Sequence, residues 1–139
     1  MAKNTNAQVN DNFTATIREA SRELTPKERV MFKDMANATQ LVDYVNAQRA
    51  TGEKAIIDIA DYVVVDVHNP KASDNADYTL YIVVDKNGNK FYTSSEAFWN
   101  AFSNIFSEMK ESDEEWGIEC VLIPSKNYKG KEILTCSLV

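Results

Sequence analysis

The spacing of hydrophobic residues predicts a helical first third of the chain. Residues Thr25–Glu28 have the Thr-x-x-Glu pattern of a capping box, with Pro at the first helical position. Val30, Met31 and Met35 then supply an apolar stripe. A second helix is predicted over 39–52, because its apolar residues share one helical face and a glycine stands at its end.

The middle of the chain changes to β-branched residues, which are typical of strands. The segment 55–67, AIIDIADYVVVDV, predicts one long strand that is bent near Ala60–Asp61. The polar segment 68–77 predicts a loop. The segment 77–95 predicts a hairpin, with a tight two-residue turn at Asn87–Gly88.

The clearest helical pattern begins at a second capping sequence, Thr93–Glu96. Its apolar face consists of Phe98, Trp99, Phe102, Ile105, Phe106 and Met109. Such a stripe is more typical of a core than of a ligand site. The helix runs into an acidic turn, 110–117, whose charges are expected to face water, and a final hairpin joined through KNYKG closes the chain.

This order of elements predicts an all-β core with added helices. The last five strands, with a helix between the third and the fourth, match a five-stranded OB-fold-like Greek-key barrel. We therefore predict this barrel over 54–139, preceded by an N-terminal helical segment over 12–52. Residues 12–139 are expected to form one domain, and residues 1–11 a flexible arm.

Composition and charge narrow the classes of function. The chain has 139 residues, of which 44% are hydrophobic and 26% charged, as expected of a globular protein. The net charge of −6 argues against wrapping duplex DNA, which needs a broad basic surface. A local basic groove remains compatible with this charge.

The sequence also predicts the compartment. No N-terminal stretch resembles a signal peptide and no segment is apolar enough to cross a membrane, so we expect a cytoplasmic protein with no membrane partner. Cys120 and Cys136 are both eight residues from Tyr128, which places them opposite each other in the last hairpin. We interpret them as two small buried side chains; a redox-active pair is the alternative.

Little in the sequence indicates catalysis. His68 is the single histidine, next to Asn69–Pro70, and such a residue is more typical of a surface or capping position than of a general base. Neither a metal-ligand spacing nor a glycine-rich phosphate loop is present. We therefore predict no enzyme activity, no cofactor and no metal.

Aromatic residues interleaved with lysines favour binding of single-stranded nucleic acid. Bases stack on aromatic rings, and phosphates meet lysine or arginine. The candidate residues lie on the predicted second and third strands, the first loop and the last hairpin. They are Lys71, Tyr78, Tyr81, Lys86, Lys90, Tyr92, Lys126, Tyr128, Lys129 and Lys131.

These aromatic residues are not equivalent. Tyr78 and Tyr81 are three residues apart on one strand, so they point to opposite faces and at most one faces a groove unless a bulge intervenes. We expect Tyr92 to point outward, and for each strand aromatic a core position is the alternative. Tyr128 stands at a turn between lysines, where the alternative is a merely solvated tip.

The segment from Tyr78 to Val139 resembles the small single-stranded DNA-binding proteins of bacteriophages and mobile elements of Gram-positive hosts. The resemblance lies in YTLYIVVDKNGNKFYTSSEAFWNAF and WGIECVLIPSKNYKGKEILTCSLV. It implies an OB-fold, sequence-tolerant binding of single-stranded DNA, and a role in replication or recombination in a bacterial host cytoplasm. One departure is that the given sequence ends in a predicted strand rather than in an acidic tail that recruits partners.

Two questions stay open at the level of sequence. The segment 12–52 is mildly basic, and it would extend the groove, mediate self-association or act as a structural cap. The alternative function is an acidic protein-interaction module, or an inhibitor that imitates the charge of DNA and binds a host or replication enzyme. The acidic run Glu111–Glu115 favours that alternative, and the lysines Lys126–Lys131 favour DNA.

Overall fold

A computed structural model describes residues 13–71 and 76–139. The predicted flexible arm, 1–11, lies outside the described residues. The strands are β1 (Thr14–Ala20), β2 (Thr39–Gln40), β3 (Ala55–Ile57), β4 (Ile59–His68), β5 (Asp77–Asp85), β6 (Lys90–Thr93), β7 (Ile118–Pro124) and β8 (Glu132–Leu138), and the helices are α1 (Pro26–Lys33), α2 (Leu41–Ala50) and α3 (Glu96–Met109).

The strands form two sheets. Sheet A has five strands in the order β1-β4-β5-β6-β2, and sheet B has three in the order β3-β7-β8. All neighbours are antiparallel except β2 and β6, which pair in parallel. The predicted long strand is present, but it breaks at Asp58, so that its first part belongs to sheet B and its second part to sheet A.

The prediction of a five-stranded barrel preceded only by helices is therefore wrong. Within residues 13–71 and 76–139, eight strands form two open sheets, and the described N-terminal segment begins with a strand. The outer edge of β6 is taken by the two residues of β2. Strand β8 forms an edge of sheet B. The carbonyl of Leu134 on this strand accepts a hydrogen bond of 3.0 Å from the Ser95 hydroxyl. A side chain therefore occupies the position where the barrel prediction required a closing strand.

We did not predict strand β1, because the capping signals that follow it led us to predict helices for the whole segment 12–52. Its sequence, TATIREA, alternates in burial as a half-buried strand should. Ile17 lies opposite Val65, and the register shifts between Ile17 and Glu19. A bulge of this kind breaks the strict period of two that identifies a strand in a sequence.

The helices begin near the predicted positions. At α1 both halves of the Thr25–Glu28 capping box are formed. Helix α2 starts after Gln40 rather than at Thr39, because those two residues pair with β6. Gly52 has a φ of +77°, as its predicted role at the helix end requires.

Helix α3 confirms the predicted aromatic stripe as core. The Ser95 hydroxyl accepts a hydrogen bond from the backbone N–H of Phe98. Ser95 is therefore the N-cap of α3, two residues after the predicted cap, Thr93. Phe98 and Phe102 are fully buried between the two sheets, and Trp99, Ile105 and Phe106 pack around them. Met109 is half-buried at the end of the helix.

The opposite face of sheet A carries a second apolar cluster. Val63, Val65 and Ile82 are buried there beneath Leu24, Phe32 and Met35. We call the stretch that carries these three residues, 24–35, the α1 segment. Sheet A is thus covered on both faces, by α3 on one and by the α1 segment on the other. Within the described residues, none of the helices is both long and apolar enough to cross a membrane.

Two smaller predictions concern the hairpins. The turn at Asn87–Gly88 is present, with a φ of +87° at Gly88, but four residues rather than two separate β5 from β6. Cys120 and Cys136 lie opposite each other and are buried as free thiols. Burial raises the pKa of both thiols, that of Cys136 to about 12, which keeps them protonated and unreactive.

The break at Asp58 depends on Gly117. A Cβ atom at Gly117 would lie 2.7 Å from the carbonyl oxygen of Ile57 and 3.1 Å from Oδ1 of Asp58. The close contact is with backbone, which moves only if the pairing of β3 and β7 is disturbed.

We predict that Gly117→Ala lowers the free energy of unfolding by about 1–3 kcal/mol, because the added methyl group overpacks the bend. Urea unfolding measures this loss. Ser137→Ala, at an exposed position on the neighbouring strand, is the control and should stay within about 0.5 kcal/mol of wild type. Equal stability of the two variants would show that the bend tolerates a side chain.

A second prediction concerns the loss of thermal stability at acid pH. A hydrogen bond from Arg22, and then one from the backbone of Thr25, lower the pKa of Glu28 from 4.5 to about 2. Stabilisation by the ionised carboxylate is therefore present above pH 4.5 and is lost as the pH falls toward 2. We expect Glu28→Gln to lower Tm near neutral pH, with the difference from wild type shrinking between these two values.

Thermal unfolding followed by circular dichroism at several pH values checks this. Glu23→Gln is the matched control, since within the described residues the Glu23 carboxylate forms no ion pair. A difference between wild type and Glu28→Gln that does not change with pH would refute the assignment.

Candidate nucleic-acid interface

Tyr81 belongs to the core and not to a groove. Its ring stacks on Trp99, with centroids 5.0 Å apart and an angle of 5° between the planes. Only 7% of the residue is exposed, and burial raises the pKa of its hydroxyl. It contacts α3, and no face of the ring remains free to receive a base.

Tyr78 and Tyr92 lie on the other face of sheet A. This confirms that Tyr78 and Tyr81 point to opposite sides of β5. Both Tyr78 and Tyr92 are half-buried against the cluster that contains Val65 and Ile82. The side on which we expected a groove is thus packed beneath the α1 segment.

Lys90 has a structural role that the sequence did not reveal. Its ammonium group donates to the carbonyl of Met31 at 2.6 Å, and also to the carbonyl of Asp34. These carbonyls stand at the end of α1, where backbone acceptors lack helical partners and a positive charge is favourable. Lys90 therefore fastens α1 to sheet A and is not a free phosphate ligand.

The two remaining predicted lysines outside the last hairpin, Lys71 and Lys86, lie in loops at opposite ends of sheet A. Lys86 is exposed beside the bend, and its backbone N–H donates to the carbonyl of Asp58. Lys71 is exposed in the loop after β4, where its backbone N–H donates to the side chain of Asn69. The length of β5, nine residues or about 30 Å, separates these two regions.

Four predicted residues do converge, at the tip between β7 and β8. Lys126, Tyr128, Lys129 and Lys131 are all exposed, and Tyr128 is 69% exposed. We call these four the hairpin tip. Within the described residues none of the three lysines forms an ion pair.

Local hydrogen bonds hold the hairpin tip in shape. The Ser125 hydroxyl accepts the backbone N–H groups of Asn127 and Tyr128, at 3.3 and 3.2 Å. The carbonyl of Tyr128 accepts from the N–H of Lys131, and Gly130 has a φ of +82°. These hydrogen bonds fix the path of the backbone, and the four side chains lie exposed around it.

The hairpin tip lies far from Lys86. Ile57 and Ile118 pair at the bend, whereas Lys126 lies beyond the other end of β7. At about 3.3 Å per residue, the strand between them spans about 20 Å. The ten predicted residues therefore form no single site, and the hairpin tip is the one place where several of them meet.

An apolar surface that sequence reasoning missed continues from the hairpin tip. On the outer face of sheet B, Ile123 lies opposite Ile133. The next pair on the same face is Val121 and Thr135. Ile123 is 45% exposed and Ile56, on β3, is 42% exposed. In β7 the inward residues Cys120 and Leu122 are apolar too, so alternation in the sequence did not reveal which side faces water.

Charged side chains of both signs flank this face on the side of α2. Arg49 pairs with Glu132 at 3.2 Å, and this hydrogen bond raises the pKa of Arg49 and lowers that of Glu132. Lys54 is exposed and lines an adjoining recess of about 220 Å³ together with Arg49 and the carboxylates of Glu53 and Glu119. We call the hairpin tip together with Ile123 and Ile133 the hairpin surface.

His68 lies away from this surface. Its Nδ1 is 2.7 Å from a carboxylate oxygen of Asp77 across β4 and β5, beside an open recess of about 350 Å³. The rest of the lining consists of Asp66, Val67, Tyr78 and three threonines, Thr14, Thr16 and Thr79. Among the residues that the structure describes, no group of three or more histidine, cysteine or acidic side chains is placed to hold a metal ion.

Comparison with protein-family models, with curated proteins and with solved structures found no match to this chain. The resemblance to phage single-stranded DNA-binding proteins therefore stays a prediction.

Substitution by alanine distinguishes the two kinds of tyrosine. We predict that Tyr81→Ala lowers the free energy of unfolding by about 3–5 kcal/mol, because it empties a packed position against Trp99. Tyr128→Ala should change it by less than about 0.5 kcal/mol, because that ring faces water. Chemical denaturation measures both, and a large loss in Tyr128→Ala would mean that the hairpin tip is part of the core.

Proposed function

We propose that this protein binds single-stranded DNA without sequence preference through the hairpin surface. It would serve DNA replication or recombination of a phage or mobile element in the cytoplasm of a bacterial host. The observation that carries the proposal is the exposure of Tyr128, which stands among three lysines that form no ion pair within the described part of the chain.

The chemistry of the hairpin tip suits a single strand. An unstacked base places its face on the Tyr128 ring, and one such stack contributes about 1–3 kcal/mol. The ammonium groups of Lys126, Lys129 and Lys131 contact the phosphates on either side. Stacking and phosphate contacts do not depend on which base is present, so binding is sequence-tolerant.

The apolar part of the hairpin surface extends the same track. Ile123 and Ile133 form the last pair on the outer face before the turn, directly below the hairpin tip. A second base that leaves the tyrosine ring meets these side chains and not water. Burial of their exposed apolar area on binding adds a hydrophobic contribution.

The chemistry of this surface and the net charge of the protein both disfavour duplex DNA. A duplex hides its base faces, so only phosphate contacts remain, and a protein with a net charge of −6 repels the rest of the backbone. With three lysines in contact, the logarithm of the affinity should fall with the logarithm of the salt concentration with a slope of about −2.

The test is a salt titration of fluorescence anisotropy with a labelled oligo-dT of about 30 nucleotides, beside a duplex of equal length. We expect salt-sensitive binding to the single strand and much weaker binding to the duplex. Lys126→Glu combined with Lys129→Glu should weaken single-strand binding by about tenfold or more and flatten the salt slope.

Lys71→Glu combined with Lys86→Glu is the matched control. It changes the net charge by the same amount at two sites outside the hairpin surface, and it should leave most of the affinity intact. Equal losses in both variants would mean that overall charge and not the hairpin tip determines binding. Absence of binding to either DNA at low salt would reject the proposal and favour a protein-interaction module.

A further inference from the structure

The two cysteines of the chain lie beneath the hairpin surface and take no part in the proposed function. Cys120 on β7 stands directly opposite Cys136 on β8. Both side chains belong to the core between the sheets, where the two residues are 2% and 7% exposed. The two thiols therefore share one face of the same hairpin.

The hydrogen-bonding pattern of β7 and β8 determines how close the two cysteines lie. Gly117 and Val139 donate to each other's carbonyls, so they form a hydrogen-bonded pair. Along an antiparallel ladder such pairs alternate with non-hydrogen-bonded ones, and this ladder runs without a register shift. Cys120 and Cys136 are three positions further on, which makes them a non-hydrogen-bonded pair.

This kind of pair is close enough for a disulfide. In a non-hydrogen-bonded pair the Cα atoms are about 4.5 Å apart, and the side chains are closer than in a hydrogen-bonded pair. Disulfides join cysteines whose Cα atoms are about 4.4–6.8 Å apart. The acidity of Cys120 agrees with this proximity, since burial and then the neighbouring Cys136 raise the pKa of its thiol.

One of the two thiols adjoins a recess in the surface. Cys120, with Val45 and Leu122, contributes to the lining of the recess of about 220 Å³ beside the end of α2. This volume is several times the roughly 30 Å³ that one water molecule takes up in the liquid, so a small oxidant fits. The reaction is slow at neutral pH, because the thiolate is the reactive form and burial keeps both thiols protonated.

We propose that Cys120 and Cys136 close a reversible disulfide across β7 and β8 when the protein is exposed to a peroxide. The sulfur of Cys120 first attacks one peroxide oxygen and the O–O bond breaks, which gives a sulfenic acid and releases water or an alcohol. The sulfur of Cys136 then attacks the sulfur of Cys120. The S–OH bond breaks, and the hydroxyl group leaves as water with the proton of the second thiol, so two thiols are oxidised for one peroxide reduced.

The bridge bears directly on the last hairpin. It closes a loop that contains the whole hairpin tip, so β7 and β8 cannot separate beneath it. A crosslink of this kind stabilises the protein mainly by restricting the unfolded chain. A Cα separation at the short end of the disulfide range favours a bridge that is easily reduced again. The proposal does not rest on DNA binding, and it is tested without nucleic acid.

The test treats the wild type with excess hydrogen peroxide and follows both cysteines by peptide mass spectrometry. We expect the two thiols to disappear together, with the loss of two hydrogen atoms and no link between molecules. Tm should rise by about 5–10 °C and fall back when dithiothreitol reduces the bridge. Met31, which is 59% exposed, is the internal control, because its conversion to the sulfoxide shows that the peroxide was active.

Cys136→Ser is the matched control variant. It keeps Cys120 beside the recess and removes its partner, so peroxide should cause no rise in Tm that dithiothreitol reverses. The wild type decides the question even if this variant folds poorly. Two free thiols in a sample whose Met31 is oxidised overturn the proposal. So does oxidation of Cys120 beyond the sulfenic acid without a bridge, or a disulfide that joins two molecules.

Discussion

The break at Asp58, which divides one strand between two sheets, is the constraint on which the rest of the structure depends. Residues on either side of it, Ile57 and Ile59, both point into the same core although they pair with different neighbours. Gly117 lets the two backbones approach at this point. Because sheet B turns away from sheet A here, the last hairpin projects from the core and its tip meets water.

Local signals in the sequence predicted most elements but not their pairing. The capping box at Thr25, the aromatic stripe of α3 and the turn at Gly88 are encoded within a few residues, and each was found close to its predicted place. Strand order depends on contacts between distant residues. The two residues of β2 lie at the edge of β6, and nothing local in Thr39–Gln40 distinguishes that pairing from the start of a helix.

The candidate site shows the same division. Tyr128 was predictable because a lysine-rich turn closed by a glycine leaves its side chain no core to enter. The positions of Tyr81 and Lys90 were not predictable in this way. Tyr81 stacks on Trp99 and Lys90 binds the end of α1, and both of these partners lie elsewhere in the sequence. A tyrosine or a lysine on a strand offers the same chemistry to a base, a phosphate or a neighbouring helix, and only the fold decides which it meets.

The most direct test of the account is to map the bound strand by amide chemical-shift changes when unlabelled oligo-dT is added to isotope-labelled protein. The account predicts that the largest changes fall on residues 123–133, with smaller ones along the outer face of sheet B. Changes concentrated around Tyr78 and Tyr92, with the amides of the hairpin tip unmoved, would contradict it, because the strand would then lie on the face that the α1 segment covers.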